Sequence, residues 1–414
     1  MIHYNRAEKI FIKDSLNHII ELSKLYNNIG ILHVQQTDLK KAEIYFKRSL
    51  QLRKKNNHKI LENTLYYLGY IAWKSGRYEK AHDYYFSAIK NRINRHGEKY
   101  HRLAPVYMSY GAFLQEQKKP DSALLYLQKA KKIAIENFGT RHPLTAESYL
   151  YLGDYQRKQQ NFKTALNYYQ KAVLSISPDF SDTCIYRNPK LDKKTLPDRL
   201  LIRAVRKKAE TFRQIAGKNK GSKAESLKYL KASHNSYTRT VSFLELLKTR
   251  MFFTESKMLI SENAESIYAG CIQTAMQLYQ LTNENVFKHT AFEYAEKSKY
   301  ATLAGARNED LSIRYAGIPD ELTALEKQLK KKIGIYKSAL SGHRTNNKQH
   351  EEVASGRLID LVDSLENLVR YFEKNYPKYY KLKYNPGTVS CLELQKKFET
   401  DEILCEYALT DSIL

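Results

Sequence analysis

Four cysteines, twelve histidines and a few paired carboxylates are the side chains of this 414-residue chain that could do covalent or metal chemistry. Cys184, Cys271, Cys391 and Cys405 lie far apart, with no CxxC pair and no histidine at metal-ligand spacing. A catalytic thiolate needs a neighbouring base or a helix N-terminus, and the sequence supplies neither. Cys271 in "YAGCIQTAM" and Cys405 in the alternating "DEILCEYALTDSIL" read as small buried apolar side chains. Free thiols of this kind suit a reducing compartment. His142 stands before Pro143 and reads as a turn residue, while Glu351–Glu352 and Asp360–Asp363 fall on solvated helix faces. There is no Gly-rich phosphate loop. The expectation is a chain with no catalytic residues, no metal and no cofactor.

Binding chemistry is better represented. Tyr66, Tyr70 and Trp73, the sole tryptophan, fall at helical spacing and make a stripe of the kind enriched in interface hot spots. The alternative is core packing, to which Trp73 is equally suited.

Four segments place that stripe in a repeat: "LYNNIGILHVQQTDLKKAEIYFKRSL", "TLYYLGYIAWKSGRYEKAHDYYFSAI", "VYMSYGAFLQEQKKPDSALLYLQKAK" and "SYLYLGDYQRKQQNFKTALNYYQKAV". Each carries a glycine (Gly30, Gly69, Gly111, Gly153), an alanine 12 residues later (Ala42, Ala81, Ala123, Ala165) and a large residue 4 further on (Phe46, Tyr85, Leu127, Tyr169). Small residues let two helices approach closely, so each unit reads as a helical hairpin with the glycine on helix A and the alanine on helix B. The large residue is expected to fill the gap toward the next hairpin. Turn residues such as "SGRY", "KKPD" and "QQNF" separate the helices. Ala7 and Phe11 stand where a preceding helix B would place them.

After Pro178 the repeat lapses into a turn-rich loop, then returns more loosely. A fifth hairpin is read from "RLLIRAVRKKAETFRQIAGKN" and "SKAESLKYLKASHNSYTRTVSFLELL". A sixth follows in "NAESIYAGCIQTAMQLYQLT" and "FKHTAFEYAEKSKYATLAGARN", with Ala291 and Ala295 on its packing face. Two long helices joined by the polar "SGHRTNNKQH" suggest an antiparallel hairpin. The closing segment alternates Ile403, Cys405, Tyr407 and Leu409 against Leu404, Glu406 and Ala408, a strand pattern.

The Gly–Ala–aromatic repeat resembles the tetratricopeptide repeat (TPR). Its 42-residue period from Gly69 to Gly111 and from Gly111 to Gly153 is similar to the longer-helix form of kinesin light chains. The succession "MFFTESKMLISENAESIYAGCI", "AFEYAEKSKYATLAGAR", "IPDELTALEKQLKKKI", "NYPKYYKLKY" and "VSCLELQKKFETDEILCEYALTDSIL" resembles the run-up to a CHAT domain, a caspase-type cysteine protease of the separase-related group. These resemblances imply an all-α fold: a right-handed superhelix of repeats over 1–178, degenerate hairpins over 179–310, a long hairpin over 311–385 and the start of a CHAT domain over 386–414. One or two short strands would close the chain, and the protease's His and Cys would lie beyond Leu414. The repeat resemblance also implies a concave groove for a protein or peptide partner. Its ligand-facing offsets from the glycine select Asn27, Tyr66, Tyr70, Trp73, Lys74, Gln115, Asp154, Arg157 and Lys158. The Lys/Asn pattern that clamps a C-terminal carboxylate in some members is absent.

The balance of 69 basic to 44 acidic residues gives +25. From Arg187 to Arg250, 18 basic against 5 acidic residues contribute +13. Such a stretch is either a set of solvated helix faces or a surface for nucleic acid or an acidic partner. No apolar run reaches the ~18 residues of a membrane span, and the N-terminus has no signal-peptide core. The chain is therefore read as a cytoplasmic interaction module that senses a partner and regulates an attached CHAT protease. A nucleic-acid or ribonucleoprotein sensor is the alternative.

Overall fold

A computed structural model describes residues 11, 18–55, 62–191, 199–218, 221–249, 254–298, 317–342, 348–383 and 391–399. Among them there are helices and connecting turns but no strand. The segment 402–409, with its expected strand, lies outside the described residues, as does Ala7. The chain forms two compact units, Met1–Ile185 and Tyr186–Leu414.

The first unit holds four hairpins: α1 (Ile19–Gln35) with α2 (Leu39–Lys55), α3 (Glu62–Lys74) with α4 (Tyr78–His96), α5 (Leu103–Glu116) with α6 (Pro120–Phe138), and α7 (Pro143–Lys158) with α8 (Phe162–Ile176). Odd-numbered helices are the A helices. Phe11 packs against the apolar face of α1 formed by Leu22, Leu25, Tyr26 and Ile29.

Each hairpin closes on its glycine. A Cβ built on Gly153 would stand 2.4 Å from the Tyr169 ring, and one on Gly30 would stand 2.8 Å from Phe46. The large residue of helix B therefore covers the glycine of its own hairpin, and in the first two hairpins it also fills the gap toward the next, as expected. Phe46 stacks on Tyr67 of α3 (4.9 Å, 10°), and Tyr85 meets Tyr110 and Phe113 of α5. All four A helices end in one motif. Asp38, Arg77, Lys119 and Asn161 donate their N–H groups back to the carbonyls of His33, Ala72, Leu114 and Gln156. The residue before each takes a left-handed conformation: Thr37 (φ 60°), Gly76 (73°), Lys118 (56°) and Gln160 (62°). These are six-to-one helix caps, and glycine serves in just one of them.

The first two hairpins are also tied by charge. Arg77 donates to both oxygens of Glu43 at 2.8 and 2.7 Å. That bond, helped by Lys47, holds the Glu43 carboxyl at about 2. A depressed carboxyl stabilises the fold above its unfolded value of ~4.3, and the contribution fades as pH falls toward the folded value. Glu43→Gln is expected to cost about 1 kcal/mol at neutral pH. The Tm difference from the parent chain should shrink between about pH 4.5 and 2; a difference constant across that window would refute the assignment.

In the second unit α9 (Arg199–Lys218) and α10 (Lys223–Thr249) pair, and α10 also packs on α11 (Thr254–Thr282). Helix α12 (285–298) joins α10 through a Thr238–Tyr294 hydroxyl bond of 2.9 Å and the His234–Phe287 ring contact. Here a fifth glycine is capped in reverse. Gly270 of α11 lies under Tyr237 of the preceding α10, where an added Cβ would meet the ring at 2.4 Å.

The last hairpin joins α13 (Asp320–Gly342) to α14 (Lys348–Asn375), followed by α15 (Pro377–Lys383) and the short α16 (Cys391–Gln395). Contacts from Glu326 to Tyr379 and from Tyr336 to Arg357 run in opposite chain directions, so the pair is antiparallel. Its core is Leu329, Ile333, Leu365, Leu368, Phe372 and Tyr379. Among the described residues no helix is long and apolar enough to cross a membrane.

Candidate functional site

Consecutive A helices touch: α1 with α3, α3 with α5, and α5 with α7. No two successive B helices pack to that extent. The A helices thus pack side by side as one layer, the inner face of the stack.

Position five after the repeat glycine is exposed in every unit: Gln35, Lys74, Glu116 and Lys158. Position one after it is half-buried in every unit: Ile31, Tyr70, Ala112 and Asp154. Position three before it is internal; Met108 and Leu150 are buried, and Asn27 and Tyr66 are tied up by neighbours. Asn27 donates to Ser49 Oγ (2.9 Å) and accepts from Thr64 Oγ1 (2.9 Å), linking α1 to α2 and α3. Tyr66 hydrogen-bonds Ser109 of α5 at 3.1 Å.

Trp73 belongs to the core, at 8 % exposure. Its indole N–H donates to Glu116 Oε2 at 2.6 Å, and Lys74 Nζ lies 3.7 Å from its ring centroid. Glu116 Oε1 in turn faces Lys158 Nζ at 3.9 Å. One node therefore joins the ends of α3, α5 and α7, and it collects Trp73, Lys74 and Lys158 around a carboxylate. Gln115 adds a bond from Nε2 to the Tyr155 carbonyl at 3.0 Å. Asp154 accepts the Tyr169 hydroxyl at 2.8 Å and pairs with Arg157 at 3.9 Å.

The spacing of the sequence does not select Tyr151 of α7, which packs against the same core as Tyr66 and Tyr70. Burial pushes the Tyr66, Tyr70 and Tyr85 phenols up, so all three are neutral at physiological pH.

Of the thiols that could do covalent chemistry, Cys184 is exposed, Cys391 half-buried and Cys271 buried. Cys271 is fully buried, and burial raises its thiol far above the reactive range. His142 caps α7 by accepting from the Leu144 N–H at 3.1 Å, the turn role expected of it. Asp360 and Asp363 are exposed on α14. Cys405 lies outside the described residues. Among the described residues no group of His, Cys, Asp or Glu could hold a metal ion.

Stacked hairpins with a shared inner face define a helical-repeat module for protein interaction. The tetratricopeptide repeat family model matches residues 21–93 and 102–173, so the first unit carries tetratricopeptide repeats. A curated relative, response regulator aspartate phosphatase I of Bacillus subtilis (strain 168), is 28% identical over 148 residues. That match covers 33% of this chain and 36% of the relative, so the chain spans about a third of that protein's length. Among solved structures, BtubC (BKLC) from P. vanneervenii is similar at 15% identity and a TM-score of 0.42, over 58% of this chain and 86% of that one. The Pseudomonas aeruginosa pilF structure is similar at 15% identity and 0.36, over 65% and 96%.

Proposed function

We infer that the four repeats bind an extended polypeptide along the inner face of α1, α3, α5 and α7, and that this binding regulates a CHAT-type cysteine protease. The observation that carries the first half is the periodic exposure of Gln35, Lys74, Glu116 and Lys158 beside the half-buried Ile31, Tyr70, Ala112 and Asp154. A row of polar tips above a floor that is apolar in the first three units and carries Asp154 in the fourth matches a bound strand or helix that alternates in the same way. The second half rests on the CHAT-like order of segments from Met251 onward. Partner binding would favour one arrangement of the helices nearest the protease and so shift its activity, a coupling of two sites.

Changing Tyr66, Tyr70 and Trp73 to alanine would test the wrong property, because these rings are packed between helices and their loss disturbs folding. The better variant is K74E/K158E, which reverses two exposed charges of the groove. It is expected to lose the prey that the parent chain retains in an affinity pull-down, while K132E on the outer face of α6 keeps it. Equal recovery by all three chains would remove the groove from consideration. For the protease, a His and a Cys on a caspase-like sheet encoded after Leu414 would support the reading, and a downstream sequence without them would end it.

A further inference from the structure

The basic stretch starting at Arg187 is partly consumed by the fold. Lys208 is fully buried on α9, where Nζ donates to the Arg187 carbonyl at 2.7 Å and to Asn188 Oδ1 at 2.8 Å. Arg206 reaches Ser266 at 2.8 Å and Glu210 at 3.5 Å, and Arg213 bonds Gln273. A buried ammonium is tolerated only when dipoles or charges surround it. Lys208 therefore fixes residues 186–191 as a strap against the helices.

The strap crosses one face of α10. Tyr186 stacks on Phe212 (5.3 Å, 14°), and Lys228 Nζ lies 5.3 Å from the Tyr186 ring. Asn188 Nδ2 donates to Ser236 Oγ at 3.2 Å. Lys228, Lys231 and Asn235 share that face at spacings of three and four residues, spanning about 10 Å along the helix. Arg187 and Lys190 on the strap, with Lys228 and Lys231 on the helix, are all exposed. Among the described residues of 186–247, seven Lys and Arg are exposed against one exposed carboxylate, Glu225. The fold leaves this imbalance unexplained; a solvated face without a partner is normally of mixed sign.

We propose that the strap and the α10 face it crosses form a docking surface for an acidic protein segment, with Arg187, Lys190, Lys228 and Lys231 as the cations that receive its carboxylates. The geometry favours an acidic polypeptide over nucleic acid. The Tyr186 ring is already stacked on Phe212 with Lys228 Nζ beside it, so it is engaged within the fold rather than presented as a platform for a base. Four cations within about 10–15 Å match a short run of carboxylates better than the longer phosphate track of a duplex. This surface lies in the second unit and does not depend on the groove reading.

The test uses the full chain and two fluorescein-labelled probes of matched length, a Glu/Asp-rich peptide and a mixed-sequence single-stranded DNA. Binding is followed by fluorescence anisotropy at low and physiological ionic strength. The peptide is expected to bind, more weakly as salt rises. K228E/K231E and, separately, Arg187→Glu should each weaken it about tenfold or more, whereas the groove variant K74E/K158E should leave it unchanged. Arg187 contacts Lys208 through its backbone carbonyl, so Arg187→Glu keeps the strap in place; an unchanged Tm verifies that. Failure of the peptide to bind, equal binding by the variants, or tighter binding of the DNA would each overturn the proposal.

Discussion

Glu326→Ala is expected to destabilise the α13–α15 hairpin by about 3–5 kcal/mol, the cost of leaving a buried charge without its partner. The Glu326 side chain is 1% exposed and that of Lys383 8%. Glu326 takes Lys383 Nζ at 3.1 Å and the Tyr379 hydroxyl at 2.7 Å, and it also pairs with Lys330. Burial alone would raise this carboxyl, but the two lysines and the Tyr379 hydroxyl outweigh it and hold it at about 2. Removing Glu326 takes away the carboxylate that Lys383 Nζ meets at 3.1 Å beside Tyr379. Replacing both Glu326 and Lys383 with Met should recover most of the loss, since the desolvation cost leaves with the charges. Because the chain forms two units, hydrogen exchange over 320–383 is the proper readout rather than one global Tm. The exposed pair of Arg370 with Glu366 supplies the contrast: Glu366→Ala should change little. A Glu326→Ala protein as well protected as Glu366→Ala would show that the buried network does not hold this hairpin. The sign with pH is set by the depressed carboxyl. Its contribution is complete above ~4.3 and is lost as pH falls through about 2.

Gly153→Ala should cost about 2 kcal/mol despite the ~1 kcal/mol that alanine gains over glycine in a helix. The new methyl would stand 2.4 Å from Cε1 and 2.7 Å from Cδ1 of Tyr169. That ring is fully buried and cannot slide freely, because its hydroxyl is bonded to Asp154 at 2.8 Å. Gly69→Ala is the internal control. There the nearest Tyr85 atoms lie at 3.2–3.3 Å, so a small adjustment suffices and the stability change should be close to zero. Urea unfolding of the two variants measures the difference. Equal stability of both would mean that ring contact is not why these positions carry glycine.

The repeat was legible because each of its marks answers a physical demand. Gly30, Gly69, Gly111 and Gly153 leave room for a side chain, Ala42, Ala81, Ala123 and Ala165 let the helices close, and the large residue covers the glycine. Spacing pointed that residue toward the next hairpin, which Phe46 and Tyr85 do meet, but it did not reveal the second contact with the glycine of its own hairpin. The left-handed caps were equally hidden. Thr37, Lys118 and Gln160 take positive φ without the glycine that usually signals it, because the six-to-one hydrogen bonds impose the conformation. Among the residues chosen by offset, Lys74 and Lys158 meet at the Trp73–Glu116 node, whereas Gln115 bonds the Tyr155 carbonyl and Asp154 pairs with Arg157. Offsets could not tell that Trp73 is core, because the distance between neighbouring A helices decides whether a large side chain there faces solvent. Tyr237 over Gly270 escaped notice for the same reason: its partner helix follows it in the chain, against the order of the first four hairpins.

A photo-crosslinking residue placed at Lys74 tests the inner-face account most directly, with the same residue at Lys132 as the outer-face comparison. Lys132 is exposed on α6, so both sites are open to solvent. Covalent capture of the pull-down partner from position 74, abolished by Lys158→Glu and absent from position 132, is the expected result. Capture from position 132 and none from position 74 would place the partner on the B helices and contradict the account.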